Sequence, residues 1–169
     1  MTTLPVLGFR YWRLLEGGLR GWVYSQATWN LRGVTHAIHL PDLQSPSNDY
    51  VVERLAAHDA PGEGDDNCGL YAFNSLWMAE HGITHYMAPY FGTSRVVGAV
   101  IGGGRVAVHG MEGWRASEAR IVALGYADSV PGGEASPSAE LIALSERAAL
   151  PLIHLAQLER YATEWGERI

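Results

Sequence analysis

The amino-acid sequence predicts a single α+β domain, in which an antiparallel, partly closed sheet is interrupted by one helix and finished by a C-terminal helix pair. Short β-prone runs, separated by glycine and polar turns, fill most of the chain without the regularly alternating helices of a parallel sheet. The last third carries two apolar stripes at helical spacing. With 169 residues, 47% of them hydrophobic, the chain is long enough for one complete core.

The N-terminal segment predicts a β-meander. Over residues 8–15, large apolar side chains alternate with arginines, which is the period of a half-buried strand, and Gly17-Gly18 supplies a turn. Further short strands are expected within 19–24, 28–31 and 33–40.

Arginines and tryptophans are interleaved in this meander. The arginines either decorate solvent faces or line an anion-binding groove beside the indole rings. The residues concerned are Arg10, Arg13, Arg20 and Arg32, with Trp12, Trp22 and Trp29.

The single cysteine, Cys68, precedes an apolar run with helical spacing that continues to His81. A cap at Asp66 or Asn67 would begin a helix at Cys68, where backbone N–H groups and the helix dipole favour a thiolate. We therefore expect Cys68 to be largely buried at a helix start.

A β-hairpin is predicted over residues 95–109, because two valine-rich runs flank the glycines at 102–104. The residues that follow predict a turn into a last strand over 117–124. The same glycines are a poor phosphate-binding loop, because they are followed by a strand and not by a helix.

The C-terminal part predicts a linker over 128–138 and then two helices, the first beginning at Ser136-Pro137. Pro151 separates the helices, and Gly166 closes the second. We expect a β-rich core with inserted helices over 1–127, and over 128–169 a linker and helices that pack on the same domain.

Composition excludes several classes of function. A formal net charge of −6 argues against nucleic-acid binding, which usually needs a basic face. One cysteine excludes an internal disulfide, and no apolar run approaches the roughly 18–20 residues that cross a bilayer. The first residues lack the basic start and apolar core of a signal peptide, so the expected location is cytoplasmic, with no membrane association.

Several short motifs together resemble a family of small proteins of actinobacteria and their phages with a Cys-Gly-Ile/Leu-Tyr/His-Ala core. They are Arg10-Tyr11-Trp12-Arg13-Leu14, Leu19-Arg20-Gly21, His58-Asp59-Ala60-Pro61, Cys68-Gly69-Leu70-Tyr71-Ala72, Val97-Gly98-Ala99-Val100, Gly113-Trp114-Arg115-Ala116 and Leu150-Pro151-Leu152. The resemblance spans nearly the whole chain and implies no particular activity. Many members of the family carry another cysteine two positions before the Cys-Gly pair; here that position is Asp66, which weakens the expectation of a metal site.

A thiol-dependent hydrolase or transferase is one functional hypothesis. It would use Cys68 as the nucleophile, His109 as the base and Asp65 as the orienting carboxylate. The alternative is an inert packing cysteine, since cysteine is among the most buried residue types.

A zinc site could in principle be assembled from histidines, the cysteine and a carboxylate. The possible ligands are His36, His39, His58, Cys68 and Asp65. Residues three apart on a strand point to opposite faces, so His36 and His39 could share a metal only across a turn or helix. We predict neither a metal nor a cofactor.

The favoured hypothesis is a soluble binding or regulatory protein whose ligand is a small polar molecule or a protein partner of unknown identity. Its site would lie where the loop before Cys68, His109 and Trp114 meet, with His58, His109, Trp114 and Arg115 as binding residues. For Trp114, the alternative is a purely structural position in the core.

Overall fold

The structure, a computed structural model, describes residues 5–21, 28–37, 69–81, 94–109, 111–128 and 137–169. Its elements are β1 (Val6–Leu15), β2 (Gly18–Arg20), β3 (Val34–His36), β4 (Leu70–Phe73), α1 (Leu76–His81), β5 (Ser94–His109), β6 (Gly113–Tyr126), α2 (Ala139–Ala148), β7 (Leu152–His154) and α3 (Leu155–Ala162). The predicted α+β class is confirmed. No helix of the described residues is long and apolar enough to cross a membrane.

The sheet closes on itself through four strands. β1 pairs with β5, β5 with β6, β6 with β4, and β4 returns to β1 through the single pair Phe9↔Phe73. Among the named strands of the described residues, every pairing is antiparallel except that of β6 with β7, which is parallel. The expected antiparallel, partly closed sheet is therefore present, with one parallel strand added.

Two hydrophobic clusters stabilise this sheet. The first holds three fully buried indoles, Trp12, Trp29 and Trp114, and includes leucines of α2. The second lies between the other face of the sheet and the helices α1 and α3, and includes Leu7, Phe9 and Leu158. Because neighbouring residues of a strand point to opposite faces, β1 contributes to both clusters.

The predicted hairpin turn at residues 102–104 is wrong, because β5 runs through these glycines and turns into β6 at Met111 and Glu112. Strand β6 accordingly begins at Gly113 and not at Ser117. The glycines serve two other purposes. Gly102 leaves room for the Trp114 ring, and Gly104 has φ +67° beside a register shift that adds one residue to β5.

The predicted helix over 68–81 is wrong in its first half. Leu70–Phe73 forms β4, and α1 begins only at Leu76, where the Ser75 hydroxyl accepts from the Met78 N–H at 3.2 Å. Helix α1 reaches His81, and the next residue, Gly82, lies outside the described residues. Pairing of β4 with β6 satisfies the backbone of 70–73, which local periodicity alone could not reveal.

The two predicted C-terminal helices are confirmed, but α3 ends at Ala162 and not at Gly166. There are two further differences. Helix α2 begins at Ala139, and its cap is the Ser138 hydroxyl, which accepts from the Leu141 N–H at 3.2 Å. Between the helices, after Pro151, the chain forms β7, a short strand that the sequence did not predict.

Candidate functional site

The proposed thiol site falls largely outside the described residues. Cys68, Asp65 and His58 all lie there. His109 is the last residue of β5, and its backbone pairs with Gly113. The roles of these residues in binding or catalysis stay predictions.

The described residues contain no group of three metal-ligating side chains. His36 lies on β3, exposed, with Nδ1 3.9 Å from a Glu118 carboxylate oxygen. Of the other zinc ligands considered, His39 also lies outside the described ranges.

Trp114 occupies a central core position. Its ring is completely buried, and its indole N–H donates to the Leu7 carbonyl at 3.0 Å. Its neighbour Arg115 is 7% exposed and lies over Tyr71, with the guanidinium carbon 6.0 Å from the ring centroid. Trp114 is thus packed as expected for a purely structural residue of the core. A ligand could touch its ring only if the strands moved. Ligand binding by Arg115 stays a prediction.

A different region offers an open concave surface. A groove of about 480 Å³, which we call the arginine groove, separates the turn before β3 from the end of α2. It is lined by Trp29, Asn30, Leu31, Arg32, Arg147 and Ala148.

The first wall of the arginine groove is a turn fixed by its own side chains. The Asn30 amide oxygen accepts from the Arg32 N–H at 3.1 Å, and its nitrogen donates to the Val34 carbonyl at 3.3 Å. The Thr35 hydroxyl accepts from the Asn30 N–H at 2.9 Å. Asparagine often fixes turns in this way, and here it presents Arg32 towards α2.

Backbone carbonyls hold both arginines of the groove. Arg32 Nε donates to the Arg147 carbonyl at 3.0 Å, and Arg32 Nη2 donates to the same oxygen. Arg147 Nη2 donates to the Gly17 carbonyl in the turn between β1 and β2. Neither guanidinium pairs with a carboxylate of the described residues, so both positive charges are oriented but not neutralised there.

Trp29 also contacts a third arginine, Arg10, which does not line the groove. Arg10 places its guanidinium carbon 4.9 Å from the Trp29 ring centroid, and Trp29 meets Trp12 edge to face at 5.3 Å. We call these three residues the Arg10 cluster. Arg10 also donates to the Tyr71 carbonyl. Burial lowers the pKa of Arg10 from its ordinary value to about 10, because desolvation disfavours its charged form.

Sequence reasoning found this region only in part. The anion-groove alternative for the meander included Trp29 and Arg32, and these two residues do line a groove. Arg147 was missed, because 115 positions separate it from Arg32 and no local pattern connects them.

Comparison of the chain with protein-family models, with curated proteins and with solved structures finds no match. The site is therefore interpreted from its own geometry.

Proposed function

We propose that this protein is a binding protein whose ligand presents an acidic group to the arginine groove. One observation carries the proposal: Arg32 and Arg147 line the same groove, and among the described residues both are held by carbonyl oxygens and not by carboxylates. A guanidinium has five N–H donors, so each arginine retains donors for a ligand.

The chemistry of the groove matches a carboxylate better than a neutral ligand. Planar guanidinium groups bind carboxylates in a fixed, often bidentate geometry, and such charge-assisted hydrogen bonds are about twice as strong as neutral ones. In a chain with a net charge of −6, two arginines without acidic partners among the described residues form a local site for an anion.

The size and the remaining walls of the groove suit a small acid or an acidic peptide segment. Its volume of about 480 Å³ falls in the range of roughly 300–1,000 Å³ typical of ligand pockets. Leu31 and Ala148 provide apolar surface beside the two charges. The described residues that line the groove include no nucleophile and no general base, which favours binding over catalysis there.

Calorimetric titration with glutarate and with a short glutamate-rich peptide tests the proposal and separates the two kinds of ligand. Arg32→Gln and Arg147→Gln should each weaken binding about ten- to a hundredfold, because a hydrogen bond to a charged group contributes about 1.5–3 kcal/mol. Arg160→Gln is the matched control, since Arg160 is an exposed arginine in the last turn of α3.

A purely structural role for the two arginines gives a different result. Arg32 donates to a carbonyl near the C-terminal end of α2, so its replacement should also lower the melting temperature. If both variants melt earlier but bind the titrants like the wild type, or if Arg160→Gln weakens binding equally, the proposal is wrong. Absence of binding by the wild type to both titrants would also overturn it.

A further inference from the structure

Each arginine of the arginine groove keeps a complete pair of N–H donors within the described residues. A guanidinium presents its donors as two forks, one formed by Nε and Nη2 and the other by Nη1 and Nη2. Arg32 uses Nε and Nη2 for the Arg147 carbonyl, so its fork of Nη1 and Nη2 stays complete. Arg147 uses Nη2 alone, for the Gly17 carbonyl, so one of its two forks also stays complete.

Two carboxylates match this arrangement better than one. A carboxylate that binds one fork with both oxygens neutralises one positive charge. Arg32 and Arg147 contribute two such charges, and none of the ion pairs of the described residues includes either of them. When both carboxylates belong to one ligand, the second contact is intramolecular and adds affinity without a second association step.

Helix α2 sets the distance between the two forks. Arg32 is held at the backbone carbonyl of Arg147, whereas the guanidinium of Arg147 is held at Gly17 by the far end of its side chain. In a helix, carbonyl groups point towards the C-terminus and side chains lean towards the N-terminus, so the two guanidinium groups lie in different directions from the Arg147 backbone. Their separation is therefore roughly the length of an extended arginine side chain, about 6 Å.

We propose that the arginine groove binds a dicarboxylate, with one carboxylate on Arg32 and the other on Arg147. This inference rests on the proposed function and adds to it the number and the spacing of the acidic groups in the ligand. The carboxyl carbons of glutarate and adipate lie about 5–6.5 Å apart, which matches the separation of the guanidinium groups, whereas malonate is too short. Leu31 and Ala148 line the groove and offer apolar surface to the methylene groups.

The monoamide of glutarate is the matched control for the second carboxylate, because it has the same length and one charge less. In calorimetric titrations at equal ionic strength, the wild type should bind glutarate at least about tenfold more tightly than the monoamide, because the second charge-assisted contact is lost in the monoamide. Adipate should bind like glutarate, and malonate like the monoamide. Equal affinities for glutarate and its monoamide would overturn the inference.

The preference for two carboxylates should depend on both arginines. In Arg32→Gln and in Arg147→Gln, the ratio of the two affinities should fall below about twofold, because one charged fork is missing. Arg160→Gln should keep the ratio of the wild type. A merely structural role of an arginine would change both affinities together, so an unchanged ratio in either variant refutes the assignment. If Arg32→Gln does not fold, the exposed Arg147 and the wild-type comparison still decide.

A peptide with two neighbouring acidic side chains presents the same chemistry as a free diacid. A blocked glutamyl-glutamate peptide and its glutamyl-glutamine counterpart give the corresponding comparison, and a tenfold preference in this pair alone assigns the two carboxylates to a peptide. The two proposals can fail separately. If both members of each pair bind equally and Arg32→Gln weakens them all, the groove binds acids but the dicarboxylate inference is wrong. If no compound binds the wild type, the proposed function is wrong as well.

Discussion

Replacing Gly102 by alanine should destabilise the protein by about 3 kcal/mol, although both residues are small. An alanine Cβ at this position would lie 2.5 Å from Cη2 and Cζ3 of Trp114. Carbon atoms pack best at about 3.5–4.0 Å, so the ring would have to move by roughly 1 Å. The ring has little freedom to do so, because its N–H donates to the Leu7 carbonyl and its other edge lies against Gly8.

The magnitude follows from three contributions. Overpacking of a core typically costs about 1–3 kcal/mol, and a contact this short belongs at the upper end. Lengthening the hydrogen bond to Leu7 adds about 1 kcal/mol. In the opposite direction, replacing glycine by alanine stabilises the protein by about 0.4–1 kcal/mol, because alanine restricts the unfolded chain. Urea unfolding followed by far-UV circular dichroism measures the sum.

Gly103→Ala is the matched control. At this neighbouring position the nearest atom to the added Cβ is Glu118 Cγ at 3.8 Å, an ordinary contact, so alanine should not destabilise the protein and should stabilise it by at most about 1 kcal/mol. A loss at Gly102 no larger than the loss at Gly103 would refute the steric argument.

The clash should also depend on the size of the ring. Trp114→Phe removes part of the ring that meets Gly102, and by itself should cost about 2 kcal/mol through the lost hydrogen bond and contacts. In that background Gly102→Ala should cost about 2 kcal/mol less than in the wild type. Effects that add within about 0.5 kcal/mol would show that the two residues are not coupled.

Two further predictions concern the ends of the C-terminal helices and use thermal unfolding as the measurement. Ala149 caps the C-terminal end of α2 with φ +54°, where L-residues are strained. Ala149→Gly should therefore stabilise the protein by about 1 kcal/mol, whereas Ala148→Gly, at the buried neighbouring position, should destabilise it. Two changes of the same sign would contradict the argument. His154 caps the N-terminal end of α3, where its Nδ1 accepts from the Ala156 N–H at 3.1 Å, and its ring packs edge to face on Tyr126. His154→Ala should therefore destabilise the protein by about 1–2 kcal/mol, and His154→Asn should destabilise it less, because asparagine can also cap a helix. Equal losses in the two variants would show that the cap contributes nothing.

Local sequence patterns predicted the elements whose backbone hydrogen bonds or apolar faces follow a simple period. The alternation over 8–15 gave β1, and the stripe with Leu141 and Leu144 gave α2. Predictions were wrong where one sequence pattern is compatible with two backbone conformations. Glycines at 102–104 permit either a turn or a bulge, and only the contact of Gly102 with Trp114 distinguishes them.

The same limit applies to the candidate sites. Trp29 and Arg32 could be proposed from the interleaving of arginines and indoles along the meander. Arg147 could not, because its approach to Arg32 depends on how α2 packs against the turn before β3.

The pairing of β6 has a consequence for the order in which the chain folds. One edge of β6 is occupied by β5, and the other edge pairs in succession with β4, β3 and β7. Within the described residues, β3 and β7 have no other strand partner. During synthesis, β3 and β4 therefore leave the ribosome well before β6, the strand with which both of them pair. Among the strands that the structure describes, only β5 and β6 form a long pairing between near neighbours in sequence. We therefore expect this hairpin to form first, because the other pairings must close longer loops. We expect the ring of strands to close only after β6 has been synthesised, so the unfinished chain exposes unpaired strand edges until then.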